Sequence, residues 1–165
     1  MADTERDNPG VIVLPPVIPL AALLLGLLLD RIVPGYFLHV FLTLSERIVI
    51  GGVLVAIGLA LIVAGGHYFS IAKTNIPPYK PALHLVTEGL YAFVRNPMYV
   101  GFGFITAGLA VAFASDWTFV LMLPAAIVLH RGVVLREERY LEAKFGDAYR
   151  QYKARVPRYG WPPRL

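Results

Sequence analysis

Cysteine is absent from these 165 residues, so disulfides and thiolate metal sites are excluded. Charge is scarce as well: Asp, Glu, Lys and Arg make up 16% of the chain, against 57% hydrophobic residues. A soluble domain carries about 25% charged residues, so that class is set aside. Histidine is sparse, and neither His84 nor His130 has a second ligand at metal spacing, so no metal site is expected. Phosphate-binding glycine loops are missing too: Gly101-Phe102-Gly103 follows no strand and opens no βαβ unit. There is no repeat and no low-complexity tract. Residues 1–10 lack a basic leader, so a cleaved signal peptide is not expected. The net charge of +4 is small, and no nucleic-acid partner is expected.

What is present is a set of long apolar runs. Four read as membrane spans: 11–29, 48–66, 98–115 and 117–135. Each is long enough to cross a bilayer at about 1.5 Å of rise per residue. Pro15, Pro16 and Pro19 should bend or delay the first helix. Only Ser115-Asp116 separates the last two runs, which therefore form a tight antiparallel hairpin with Trp117 at headgroup level. Gly52, Ala56, Ala60 and Ala64 recur every four residues in the second run and predict a close helix contact. Pro77, Pro78 and Pro81 exclude a continuous helix across 67–96. After the last run, Glu137, Leu141, Phe145, Tyr149, Tyr152 and Val156 recur at helical spacing, predicting an amphipathic interfacial helix broken at Gly146. The expected fold is an all-α integral membrane protein: about four transmembrane helices plus a C-terminal amphipathic helix, in one domain (1–66 and 67–165 as its two parts).

Basic residues set the orientation. Arg31 and Arg47 fall on one side of the predicted membrane. The other side collects Arg6, Lys73, Lys80, Arg95 and nine more from Arg131 to Arg164. Both termini are therefore expected to be cytoplasmic.

Two polar clusters fall on that basic side. The first is Arg95-Asn96-Pro97, at the entry to the third run. Pro97 suits the first helical position and Asn96 the N-cap, and a capped helix start is the plainer reading. Yet a cap does not require Tyr91, Arg95 and Tyr99 as well. The two tyrosines offer aromatic faces and hydroxyls to a planar ligand, and the helix start offers N–H groups to an anion. The second cluster is Glu137-Glu138, for which a solvated helix start flanked by Arg136 and Arg139 is the plainer reading. Carboxylates so near a membrane are costly unless paired.

Taken together, Thr87-x-Gly89-x-Tyr91, Arg95-Asn96-Pro97-Met98-Tyr99-x-Gly101, Glu137-Glu138, Phe145-Gly146, Tyr149, Tyr152 and Arg155-Val156-Pro157 resemble the isoprenylcysteine carboxyl methyltransferase and phospholipid methyltransferase superfamily of membrane enzymes. The likeness covers about 81–161. It implies S-adenosylmethionine as cofactor, held by Leu85, Val86, Tyr91, Asn96, Pro97, Met98, Tyr99 and Glu137. Catalytic positions are assigned to Arg95, Tyr99 and Glu138. Many members have His where Asn96 stands, and the prenylcysteine branch has Arg where Val133 stands. The expected reaction is methyl transfer to a lipid-like or membrane-partitioned small molecule at the cytoplasmic face. A nicotinamide-dependent reductase of sterol-reductase type and a non-catalytic membrane scaffold are the alternatives. Oligomeric state is left open.

Overall fold

A computed structural model describes residues 7–160. Arg6, Trp161 and Arg164, used above in the charge count and the family likeness, lie outside the described residues. Within them the chain is helical and has no strand. The elements are α1 (Val17–Ile32), α2 (Phe37–Phe41), α3 (Leu44–Ile71), a 3₁₀ turn (Gly89–Ala92), α4 (Pro97–Phe113), α5 (Asp116–Leu129), a π-helical turn (His130–Val134), α6 (Leu135–Phe145) and α7 (Asp147–Arg155).

Two helices, Leu44–Ile71 and Asp116–Phe145, are long and apolar enough to cross a membrane. Only 17% and 22% of their most apolar windows are buried within the chain, the reverse of a soluble core helix. Val63 and Leu123 are each 70% exposed, as suits side chains that meet lipid rather than water. α4 and α1 are apolar but shorter. All four predicted runs are thus helical, while two meet the length expected of a span.

Several helix boundaries have local causes. α1 starts only at Val17, after Pro15-Pro16, the delay expected of the prolines. α3 runs past residue 66, where the second apolar run was expected to end, to Ile71. The stretch predicted as a separate interfacial helix begins as a continuation of α5, through the π-helical turn, and breaks at Gly146, which has φ +55°.

The chain forms two compact units. One contains 15–63 and 98–129. In it α3 and α4 run antiparallel with their glycines in register. A Cβ on Gly51 would lie 2.5 Å from the Gly108 carbonyl oxygen, and one on Gly58 would lie 2.6 Å from that of Gly101. The approach is reciprocal: Gly101 and Gly108 face the carbonyls of Gly58 and Gly51. No side chain fits there, so the backbones meet directly. This corrects the expected face. Gly52, Ala56 and Ala60 are exposed, and a Cβ on Gly52 would meet nothing.

α1 packs along α5 in the same unit. At their shared end Ser115 donates to the Asp30 carboxylate and shares a 2.6 Å hydrogen bond with the fully buried Thr118. Asp116 accepts from the backbone N–H groups of Phe37 and Leu38 at 2.8 and 3.1 Å, which starts α2. The turn into α5 closes as a Schellman motif: Ser115 N–H reaches Ala110 C=O, Ala114 N–H reaches Val111 C=O, and Ala114 takes φ +52°.

The other unit contains 7–14, 64–97 and 130–160 among the described residues. Its apolar centre is Tyr149, Tyr152 and Val156, with Leu85, Leu141 and Phe145 packed against them. Leu141 and Phe145 on α6 and Tyr149 and Tyr152 on α7 recur at helical spacing and supply the helical side of this packing.

Candidate functional site

The segment 85–97 is held against α7 by side chains of opposite character. Leu85 packs on the tyrosine core and Val86 is buried. Tyr91 is buried and lies edge-on to Phe69, with ring centroids 5.4 Å apart. Its carbonyl accepts from the Tyr152 hydroxyl at 2.7 Å. Gly89 has φ +58°, and the Tyr68 ring occupies the space any Cβ would need, so the bend before Tyr91 requires glycine.

Charge then closes the site. Arg95 and Glu138 form an ion pair at 2.8 Å, each side chain only 8% exposed. Arg158 approaches the same carboxylate as a fork, Nε to Oε1 and Nη2 to Oε2, both at 2.7 Å. Arg95 Nη1 also donates to the Tyr149 hydroxyl at 3.2 Å. The backbone completes the clamp: Arg95 N–H donates to Pro157 C=O at 3.0 Å, and the Asn96 amide to Arg158 C=O at 3.1 Å. One buried anion therefore serves two guanidinium groups, which bring 95–96, the start of α6 and 157–158 together. A buried charge is tolerated only with this degree of pairing.

The tyrosines respond to that setting. Burial pushes the Tyr149 phenol up to about 12; the Glu138 charge adds to the rise and the Arg95 cation and its hydrogen bond oppose it. Burial first, then neighbouring groups, raises Tyr91 and Tyr152 further. The hydrogen bond to Glu138 pushes the Arg158 guanidinium still higher. Arg95 Nε is buried and has no hydrogen-bond partner, which leaves one charged donor of the cluster uncommitted.

Leu85, Val86, Tyr91, Arg95, Asn96, Pro97, Glu137 and Glu138 all belong to this unit. Met98 and Tyr99 follow directly on the first turn of α4 and belong to the other one, where the Tyr99 ring lies 6.3 Å from Phe102. Pro97 takes the first helical position, as expected. His130 sits in the π-helical turn and bonds the Tyr159 hydroxyl at 2.9 Å.

The family described as phospholipid methyltransferase matches residues 46–148, more than half of the chain. The chain belongs to that family. It is 42% identical over 76 residues to a protein-S-isoprenylcysteine O-methyltransferase of Schizosaccharomyces pombe, covering 44% of this chain and 31% of that protein. It is 43% identical over 86 residues to methanethiol S-methyltransferase 1 of Bradyrhizobium diazoefficiens, covering 52% and 27%. Against protein-S-isoprenylcysteine O-methyltransferase B of Arabidopsis thaliana it is 33% identical over 101 residues, covering 59% and 48%. The chain thus spans under half the length of these relatives. No solved structure matches it significantly.

The family match takes in Arg95 and Glu138 but stops short of Tyr149, Tyr152 and Arg158. Arg158 is the member that sequence reasoning missed. It follows Arg155-Val156-Pro157 directly but sits in a run of basic residues, where nothing distinguishes it from its solvated neighbours.

Proposed function

We propose that this chain transfers a methyl group from S-adenosylmethionine to a membrane-partitioned acceptor. Family membership and relatives named as methyltransferases support the reaction class. The observation that carries the site is the buried Arg95–Glu138 pair with Arg158 on the same carboxylate, which joins 95–96, the start of α6 and 157–158.

Leu85, Val86, Tyr91, Asn96, Pro97 and Glu137 are the proposed cofactor residues of this site; Met98 and Tyr99 stay in the assignment on the resemblance alone. The donor set fits an anionic amino-acid tail, because the buried Arg95 Nε has no partner of its own and helix starts favour anions. S-adenosylmethionine supplies an activated methyl group. The protein's part is to align the acceptor and to exclude water. Glu138 acts here as a positioning residue, since both its oxygens lie on guanidinium groups. Arg95, so fixed, and Tyr99 are the proposed catalytic residues.

Four membrane crossings with both termini on the basic side agree with the charge asymmetry and with helices at all four apolar runs. The acceptor is lipid-like or a small hydrophobic molecule, consistent with relatives named for isoprenylcysteine and for methanethiol.

The test is equilibrium binding of S-adenosylmethionine to detergent-purified protein, with Glu137→Ala alongside. Saturable binding that the variant weakens at least tenfold is expected. Turnover is then sought with a prenylated cysteine, a small thiol and an amino-phospholipid. No binding at millimolar cofactor would overturn the reading in favour of a scaffold or, if reduced nicotinamide binds instead, a reductase.

A further inference from the structure

Residues 7–12 are not idle chain. Asp7 places its carboxylate on α6, where Tyr140 donates to Oδ1 at 2.7 Å and Lys144 Nζ reaches Oδ1 and Oδ2 at 2.7 and 2.6 Å. Three residues on, the Gly10 carbonyl accepts from Arg136 Nη1 at 2.7 Å. Two further on, Ile12 N–H donates to Gly132 C=O at 3.3 Å. The Ile12 side chain fills the space that a Cβ on Gly132 would need. Gly132 lies in the π-helical turn, whose wider backbone and missing side chain make room for the strap. Four residues of the π-helical turn and α6, Gly132, Arg136, Tyr140 and Lys144, thus fix a segment that has no secondary structure of its own.

Tyr140 joins this strap to the candidate site. Its hydroxyl donates to Asp7 and accepts from Lys144 at 3.1 Å and from the backbone N–H of Ala82 at 2.9 Å. On the other side of the same loop, Thr74 Oγ1 accepts from Leu83 and His84 N–H at 2.8 and 3.1 Å, and Asn75 donates to Pro81 C=O at 2.9 Å. Leu85 and Val86 follow at once. A phenol that donates to a carboxylate is a better acceptor for a third group, because hydrogen-bond chains polarise one another. The strap therefore strengthens the bond that holds Ala82.

We infer that Tyr140 is a positioning residue: the 7–12 strap, through Asp7, fixes the Tyr140 hydroxyl and with it the loop that delivers Leu85 and Val86 to the cofactor. Delivery of Leu85 and Val86 to the cofactor rests on the function proposed above; the coupling of strap to loop does not.

The experiment is amide hydrogen exchange over 80–90 in the full-length detergent-solubilised protein, combined with S-adenosylmethionine binding, for wild type, Asp7→Asn and Tyr140→Phe. Both side chains lie outside the apolar core, so folding should survive, and unchanged melting checks this. Tyr140→Phe removes the acceptor of Ala82 N–H and should speed exchange over 82–86 by about tenfold. Asp7→Asn keeps the hydroxyl but weakens its polarisation, and should speed the same amides about threefold without touching Tyr140. Cofactor Kd should rise in the same order, by about tenfold and threefold, and Asp7→Glu should restore most of both. If Asp7→Asn leaves exchange over 82–86 at the wild-type rate, the strap is uncoupled and the inference fails. If exchange rises in both variants while Kd does not move, positioning of the cofactor loop fails. If wild type binds no S-adenosylmethionine, the proposed function falls, and the strap coupling is decided by exchange alone.

Discussion

Removing the Glu138 charge should be the most destructive conservative change in the chain. Glu138→Gln keeps the shape but strips the carboxylate that pairs with both Arg95 and Arg158. Arg95 and Glu138 are each 8% exposed, so water offers little compensation. Leaving one partner of a buried pair unmatched costs about 3–5 kcal/mol. The Arg158 fork is 31% exposed and adds less, because solvent screens it. For a chain of this size that cost lowers Tm by on the order of 10 °C. Arg158→Lys is the internal control: it keeps the charge, loses the fork, and should cost about 1 kcal/mol. Intrinsic-fluorescence melting in detergent reads both, since a cysteine-free chain gives thiol dyes nothing to report. Arg95→Leu with Glu138→Leu removes both buried charges together and should recover most of the lost stability, while S-adenosylmethionine binding stays lost. A shift below about 3 °C for Glu138→Gln, or equal shifts for it and Arg158→Lys, would refute the view that one buried anion holds these segments.

Gly58→Ala should destabilise by about 1–3 kcal/mol, because the new methyl would sit 2.6 Å from the Gly101 carbonyl oxygen, while Gly52→Ala should be neutral or mildly stabilising in the same melting assay. Lys73→Gly should raise stability by about 0.5–1 kcal/mol: Lys73 ends α3 at φ +51° within a Schellman pair, Thr74 N–H to Phe69 C=O and Lys73 N–H to Ser70 C=O. Alkaline pH should loosen the tyrosine core. The folded state holds the Tyr149 proton up to about 12 against an ordinary value of 10, so stability is full below pH 10 and falls toward pH 12 by about 1.4 kcal/mol per pH unit for each such tyrosine. Tyr149→Phe should flatten that fall, and a melting profile level from pH 9 to 12 would show that the phenols are not buried as described.

What could be read in the sequence followed chemical distinctiveness. Arg95, Asn96 and Glu138 stood out because charge and amide are rare among apolar runs, and the fold does bring Arg95 and Glu138 into contact. Arg158 was hidden because it stands among many other arginines and lysines. The packing face of α3 was misread for a geometric reason. Gly51 and Gly52 are neighbours in sequence but about 100° apart around the helix, and a helix that is apolar on every side gives no polar face from which to orient it. The spacing of four picked Gly52, Ala56 and Ala60. The backbone contact uses Gly51 and Gly58, seven apart, matched by Gly101 and Gly108, also seven apart. The strap at 7–12 has no periodicity at all, and only the partners on α6 reveal it.

The two units are therefore stabilised by different physics, and that difference bears on where function can change. Between α3 and α4 the stabilising term is backbone proximity, which any side chain larger than hydrogen abolishes. Substitution there is answered in stability and says little about chemistry. Around Glu138 the favourable term is pairing of buried charge, and buried ion pairs are commonly replaceable by apolar groups at no loss of stability. A fold that keeps Arg95, Glu138 and Arg158 together, with one buried Arg95 nitrogen still without a partner, retains a costlier solution than packing alone requires. On the function proposed above, the guanidinium groups are needed as guanidinium groups, for an anionic ligand at that donor. Activity and stability should then separate: apolar replacement of the cluster yields a folded, inactive protein, whereas a change at Gly51 or Gly58 yields an active protein that melts early.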